Sequence, residues 1–179
     1  MGYNMKIENV VVSAFFGVPI NLKTIVSKHK GVEYEPDQFP GLVFRLDKPK
    51  VASLIFSSGK IVCTGAKSPK DSKIAVSKIV NKLKKMGIKI PKNYKVDLQN
   101  IVASAKLSQE LNLDNIAFAL ENTEYEPEQF PGLVYRMDDP KVTFLLFGSG
   151  NVICTGGKKI SDINRAIEKI DKKLASMKF

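Results

Sequence analysis

Few side chains in this 179-residue sequence could perform covalent chemistry or hold a metal ion. It contains two cysteines, Cys63 and Cys154, and one histidine, His29. The cysteines form no CxxC pair, and no nucleophile–base or paired-carboxylate spacing recurs. A structural zinc site needs four such ligands, and an activated nucleophile needs a neighbouring base. We therefore expect no metal site, no cofactor and no enzymatic activity.

The composition points instead to a binding protein. The sequence has 28 basic and 18 acidic residues, a net charge of +10 and 44% hydrophobic residues. The charge favours a polyanionic partner, although a solvated basic surface is the alternative. No apolar run approaches the ~18–20 residues of a membrane span, so we expect no membrane association. The first ten residues lack an apolar signal stretch, so we expect a cytoplasmic, nucleoid-associated location.

An internal repeat organises the chain. Residues 33–68 and 124–159 align without a gap at an offset of 91, with 23 of 36 positions identical. The same offset places Asn9 on Asn100. A long period present only twice argues against a solenoid. We predict two halves, residues 5–92 and 96–179, that form one continuous domain with pseudo-twofold symmetry.

Each half should contain strands, a short helix and a closing amphipathic helix. Alternation predicts a first strand over Lys6–Ala14, followed by strands over Gly41–Leu46, Lys50–Phe56 and Lys60–Thr64 joined by tight turns. Short helices are predicted over Pro19–Lys28 and Leu111–Leu120. Ser68 and Pro69 are typical of a helix N-terminus. The order predicts an α+β fold, with an antiparallel sheet and the helices on one of its faces.

The strands are apolar on both faces. Side chains two residues apart share a face, so Ala52, Leu54 and Phe56 lie opposite Ser53 and Ile55. Only one long helix per half is available as cover. The other face is therefore either covered by a second layer or a dimer partner, or it is an exposed binding surface.

The duplicated segments EYEPDQFPGLVFR and EYEPEQFPGLVYR carry a specific resemblance. Together with the later LIF/LLF, SSGK/GSGN and CTGAK/CTGGK segments, they resemble the TATA-box-binding protein family, in its archaeal form, over nearly the whole chain. The resemblance implies a saddle: a curved sheet of ten antiparallel strands with four helices on the convex face. The concave face of such a protein binds the DNA minor groove and kinks it by about 80°.

The resemblance also implies roles for individual residues. The intercalating wedges are Phe39, Phe56, Phe130 and Phe147. The central polar contacts are Asn9, Asn100, Thr64 and Thr155, and the apolar floor consists of Val11, Leu54, Val62, Val102, Leu145 and Ile153. Phosphate contacts are expected from Arg45, Ser58, Lys60, Lys67, Arg136, Ser149 and Lys158. Taken without the resemblance, each residue could be an ordinary core or surface side chain.

The implied partners are TATA-box duplex DNA, transcription factor B and the RNA polymerase preinitiation complex. Glu126 and Glu128 match the acidic loop offered to transcription factor B. Asn151 replaces Lys60 in the second half, which predicts one missing cation there. A homodimer of the free protein is a further expectation.

The excess charge is concentrated in the first half, in the segment from Lys70 to Lys85. Residues 1–91 hold 16 basic and 6 acidic side chains, whereas residues 92–179 hold 12 of each. The resemblance places the lysine-rich helix away from DNA. Two other functions stay open: an accessory domain of the kind found in DNA-repair glycosylases, and a protein-binding adaptor that uses the apolar face.

Overall fold

The computed structural model describes residues 3–177 and divides into two compact units. One unit contains Asn9–Gln99. The other contains the residues up to Glu8 together with those from Asn100 onwards. The outer bounds of the repeats, 5–92 and 96–179, stay predictions, and residues 178 and 179 lie outside the described part.

The first half alternates strands with two helices. Its strands are antiparallel in the order β2-β3-β4-β1. The elements are β1 (Lys6–Phe15), α1 (Leu22–Lys28), β2 (Leu42–Asp47), β3 (Lys50–Ile55), β4 (Lys60–Ala66) and α2 (Pro69–Lys85).

The second half repeats this arrangement. Its antiparallel order is β5-β9-β8-β7-β6. The elements are β5 (Val96–Lys106), α3 (Leu113–Ala119), β6 (Thr123–Glu124), β7 (Leu133–Met137), β8 (Val142–Leu146), β9 (Asn151–Gly157) and α4 (Ile160–Ser176).

The first strand of each half is divided between the two units. Within one unit, the Ser104 hydroxyl donates to Glu8 Oε2 at 2.9 Å. Within the other, Gln99 Nε2 donates to the Ser13 hydroxyl at 2.8 Å. Glu8 and Gln99 are equivalent positions in the repeat, and so are the two serines. Equivalent side chains therefore make equivalent bonds in both units.

The predicted α+β class, with four helices and antiparallel strands, is confirmed for residues 3–177. The strand count of ten is wrong, because these residues form nine strands. In the second half, β6 makes two residue pairs with β7. In the first half, the equivalent segment is a single bridge between Glu33 and Val43. The second edge is longer because the Arg136 N–H also donates to the Asn122 carbonyl, at 3.0 Å.

Capping side chains determine where the helices begin. The Ser68 hydroxyl accepts the Asp71 N–H at 3.0 Å, and Pro69 opens α2, as predicted. Helix α1 begins three residues later than Pro19, because Asn21 caps it by accepting the Lys23 N–H at 3.1 Å. Helix α3 is likewise shorter than predicted at both ends. An amide oxygen satisfies a free N–H of the first turn, which proline and leucine side chains cannot do.

Each half has a core between one face of the strands and its long helix. The apolar side of the predicted amphipathic helix α2 is buried, with Ile79 and Leu83 at 0% exposure. In the second half, Ile170 of α4 and Phe144 of β8 are equally inaccessible. Burial of each such side chain contributes about 1.5–3 kcal/mol to the free energy of unfolding. The core therefore holds the strands in a defined register and leaves their other face for a different purpose.

Candidate nucleic-acid interface

One face of the strands in the first half is not buried. Side chains alternate between buried and partly or fully exposed along β1 to β4, as the parity of the sequence predicted. We call the less buried side the open face. Strand pairing aligns its residues in two rows: Val43, Leu54, Val62 and Ser13, and Arg45, Ala52, Thr64 and Val11.

The second half has a matching open face. Its first row is again apolar and ends at a serine, and its second row again begins at an arginine. The rows are Val134, Leu145, Ile153 and Ser104, and Arg136, Thr143 and Thr155. Val102 is half-buried on the same side of β5. The six residues that the resemblance assigns to an apolar floor thus lie on the open faces of the two halves.

Six residues of these rows had no role in the sequence interpretation, and two of them are the serines Ser13 and Ser104. Val43 and Val134 each extend an apolar row by one strand, and Ala52 and Thr143 lie beside the arginines. The signal was present, because Val43 lies two residues from Arg45 and therefore shares its face. Only the register shows which residue of the neighbouring strand lies beside it.

Hydrogen bonds orient the two central asparagines. In the first half, the Gly65 N–H donates to Asn9 Oδ1 at 2.7 Å, and Asn9 Nδ2 donates to the Thr64 hydroxyl at 2.9 Å. The second half repeats both bonds. The Gly156 N–H donates to Asn100 Oδ1 at 2.7 Å, and Asn100 Nδ2 donates to Thr155 Oγ1 at 3.1 Å. An amide NH2 group carries two protons, so each can still donate one to a ligand on the open face.

A pair of phenylalanine rings stands at the end of each open face. The Phe39 and Phe56 rings have centroids 6.0 Å apart and an angle of 66° between their planes. Phe130 and Phe147 have the same separation and angle. Phe39 is 46% exposed and Phe130 is 45% exposed. Large apolar rings with this exposure are available to a ligand.

The loop before each pair has a defined backbone. The Glu35 carbonyl accepts the N–H groups of Gln38 and Phe39, both at 2.9 Å. The Glu126 carbonyl accepts the equivalent N–H groups in the second half, at 2.9 and 3.0 Å. These turns position Phe39 and Phe130, and the Glu126 and Glu128 side chains are exposed beside them.

A glycine lies under each pair of rings. A Cβ atom at Gly41 would approach Phe39 Cε2 to 2.6 Å and Phe56 Cε1 to 3.1 Å. At Gly132 the corresponding distances, to Phe130 and Phe147, are 2.7 and 3.0 Å. The rings therefore occupy space that any side chain at these positions would fill. Each glycine is a positioning residue for its pair.

The two arginines at the edges of the open faces are ion-paired. Arg45 Nη1 lies 2.9 Å from Glu33 Oε1, and Arg136 Nη1 lies 3.0 Å from Glu124 Oε1. All four side chains are more than half exposed, so each pair contributes at most about 1 kcal/mol. A guanidinium has five N–H donors and retains several of them for a phosphate. The other predicted phosphate contacts are also exposed: Ser58, Lys60, Lys67, Ser149 and Lys158.

The lysines of α2 lie apart from the open face. Each is exposed, and the helix turns its other side into the core. They are Lys70, Lys73, Lys78, Lys82, Lys84 and Lys85. Much of the net charge of +10 is therefore on a helix surface, whereas the open faces are mainly apolar and uncharged.

The two cysteines are buried in the core, and His29 is partly buried. Burial raises the pKa of the Cys154 thiol to about 12. Burial also raises the pKa of the Cys63 thiol. The His29 ring stacks on Phe44 with centroids 4.6 Å apart. Both thiols are thus kept protonated near neutral pH, and a thiol is a much weaker nucleophile than a thiolate.

Residues 3–177 contain neither a metal-binding cluster nor a membrane-spanning helix. No group of three or more His, Cys, Asp or Glu side chains could hold a metal ion. No helix in this part of the chain is both long and apolar enough to cross a membrane.

Comparison with known proteins identifies one family. The family model for transcription factor TFIID, or TATA-binding protein, matches residues 4–86 and again residues 95–177. The TATA-box-binding protein of Methanothermobacter thermautotrophicus is 53% identical over 97% of this chain and 96% of its own length. The TATA-box-binding protein of Methanocaldococcus jannaschii is 56% identical over 93% of this chain and 91% of its own length.

A solved structure agrees with these relatives. The structure described as Methanococcus jannaschii TBP superposes with a TM-score of 0.90 and 54% identity, covering 97% of this chain and 99% of that one. Both repeats are matched, and the match spans the open faces and the long helices. This chain belongs to the TATA-binding protein family.

Proposed function

We propose that this chain is a general transcription initiation factor that binds the minor groove of a TATA-box promoter and bends the DNA. The observation that carries the proposal is the pair of matching open faces, each with an apolar row, an oriented asparagine and a ring pair. The minor groove of an A·T-rich site would match two such faces, because each half of the site presents the same kind of hydrogen-bond acceptors.

The apolar rows would select A·T pairs. Val43, Leu54 and Val62 offer no acceptor to the guanine 2-amino group, so that donor would be buried without a partner. Adenine N3 and thymine O2 lack this group and permit close contact. Asn9 and Asn100 would donate their second amide proton to these acceptors. Such a surface separates A·T from G·C but does not distinguish A·T from T·A.

The ring pairs would produce the bend. A base step opened by a wedge loses stacking, at a cost of a few kcal/mol, and an aromatic ring replaces part of it. Phe39 and Phe56 would open one end of the site, and Phe130 and Phe147 the other. Rim cations, with Arg45 and Arg136 among them, would hold the phosphates and provide affinity without sequence choice.

The polar groups of the open face favour DNA over the two alternative functions. A purely apolar protein partner would leave the second amide proton of Asn9 and of Asn100 without an acceptor, which costs up to about 1–3 kcal/mol for each. An adaptor would therefore be expected to lack them. A repair-enzyme role has no support in the sequence, because no nucleophile–base or paired-carboxylate spacing recurs in the two halves.

Binding to DNA in this way places the protein with promoters in the nucleoid. The bent complex would present a platform for transcription factor B and RNA polymerase. Without DNA, the apolar rows are the surface on which two copies would pair as a homodimer.

A fluorescence experiment tests the proposal. A TATA duplex labelled at both ends should be bound tightly and should shorten end to end, because the two kinks bring its termini together. A scrambled duplex of the same composition, titrated across a salt series, is the control for nonspecific binding. Equal affinity for both duplexes, or binding without shortening, would contradict the proposed function.

The acidic loop of the second half should bind transcription factor B. Changing Glu126 and Glu128 together to glutamine should weaken the ternary complex about tenfold, by removing two exposed carboxylates from a protein–protein contact. Binary DNA affinity should stay unchanged. Gel mobility shift with added transcription factor B measures both quantities.

The first half supplies the matched control. Glu35 and Asp37 occupy the equivalent loop, are also exposed and would not contact the factor. Their double change to glutamine and asparagine should leave the ternary complex intact. An equal loss in both double variants would show a general charge effect and remove Glu126 and Glu128 from the interface.

A further inference from the structure

The two halves differ in where a cation stands at the end of the open face. In the first half, Phe15 at the end of β1 pairs with Lys60 on β4. In the second half, Lys106 at the end of β5 pairs with Asn151 on β9. Each of these two residue pairs thus has one lysine, which is on β4 in the first half and on β5 in the second. Asn151 stands where the first half has Lys60, and a different cation, Lys106, lies directly across from Asn151.

A hydrogen bond holds Lys106 at the edge of the open face. Its Nζ donates to the Ser149 carbonyl, in the turn between β8 and β9, at 3.1 Å. The Ser149 hydroxyl accepts the Asn151 N–H at 3.3 Å. An ammonium group has three donors, and one bond to a carbonyl leaves two that can be given to an anion.

The position of Lys106 is next to a wedge. A shallow cavity of about 550 Å³ is lined by Lys106, Ser149 and Asn151 together with Phe147 and Ile153 of the open face. It therefore combines a cation, an amide and a hydroxyl with the apolar residues that would enter the groove. An anion that lies beside an opened base step would fit this combination.

We propose that Lys106 binds a DNA backbone phosphate beside the step opened by Phe147, in the role expected of Lys60 in the first half. The inference rests on the proposed function and assigns to it a residue that the repeat alignment does not suggest. Cα atoms paired across antiparallel strands lie only about 4.5–5.5 Å apart, and a lysine stem has four carbons. A cation on either strand can therefore reach the same phosphate. The second half thus keeps the cation that the sequence predicted to be missing.

Salt dependence of TATA-duplex binding tests the assignment. The logarithm of the binding constant falls as the logarithm of the salt concentration rises, and each lost phosphate contact makes this slope less steep by about 0.9. Between 50 and 200 mM salt, the affinity of Lys106→Gln should therefore fall about 3–4-fold less than that of the unchanged protein. Lys60→Gln should behave in the same way. Lys172→Gln, on the exposed side of α4, should keep the full slope.

A rescue variant makes the test specific. Adding Asn151→Lys to Lys106→Gln copies the arrangement of the first half and should restore the original slope. An unchanged slope in Lys106→Gln, or no restoration by Asn151→Lys, would overturn the assignment. If the unchanged protein does not prefer TATA over scrambled DNA, the proposed function fails instead. Thermal melting of every variant verifies that it is folded.

Discussion

Replacement of Phe56 and Phe147 together by alanine is expected to remove most of the DNA bend, which is about 80° in this family. Each ring is half-buried, and its centroid lies 6.0 Å from the centroid of its partner ring. Each replacement therefore removes one half of a wedge. Without the rings, opened steps lose their replacement stacking, and we expect about tenfold weaker binding for each ring. End-to-end distance in a doubly labelled TATA duplex measures the bend, and the same titration gives the affinity.

The control for this prediction is another phenylalanine. Phe118 is 97% exposed on α3, so Phe118→Ala removes a ring that belongs to neither open face. It should leave bending and affinity unchanged. The double variant should remain folded, because both rings are only partly buried and removal of each costs about 1–2 kcal/mol. A folded double variant that still bends DNA as the original protein does would refute the wedge role.

Gly41→Ala should displace the ring pair of the first half without unfolding the protein. The new Cβ would lie 2.6 Å from Phe39 Cε2, closer than atoms can approach, so the ring must move. Phe39 is 46% exposed and can swing outward, and we therefore expect a stability loss below about 1 kcal/mol. The moved ring should enter the groove poorly, reducing the bend at one end. Gly132→Ala should do the same at the other end.

Gly148→Ala is the matched control for the glycine prediction. Its Cβ would lie 3.6 Å from the Leu111 carbonyl oxygen, an ordinary contact, and the equivalent residue in the first half is Ser57. The variant should bind and bend DNA normally. If Gly41→Ala bends DNA as fully as Gly148→Ala does, the rings do not depend on the glycine. Thermal melting separates a moved ring from a destabilised fold.

Much of the fold could be predicted because the repeat provides the same pattern twice. The alternation of Leu54 with Ser53 and Ile55 identified both faces of β3, and Ser68 and Pro69 marked the start of α2. The errors were local. The expected tenth strand is only a single bridge at Glu33. Helix α1 begins after its cap Asn21 and not at Pro19, where it was predicted to begin. Edge pairing and capping each depend on one or two hydrogen bonds, which periodicity does not report.

The placement of the site was predicted less completely than the fold. The resemblance placed Asn9 and Thr64 among the central contacts of the binding face, but not in a hydrogen bond with each other. The bond depends on the register between β1 and β4, which includes a shift after Val10. The pairing of Arg45 with Glu33 could not be anticipated either, because the partners come from different segments of the chain.

The sequence by itself determined the class of the protein, its two halves and the residue types available to a ligand, because periodicity and duplication are local properties of the chain. Only the tertiary structure decided how these residues act together. It showed that Gly41 leaves room for two rings and that the Gly65 N–H orients an amide. It also showed that Lys106 lies across from Asn151. These relations arise when core packing fixes the register between strands that are distant in the sequence. The spacing of residues along a single strand therefore does not predict them.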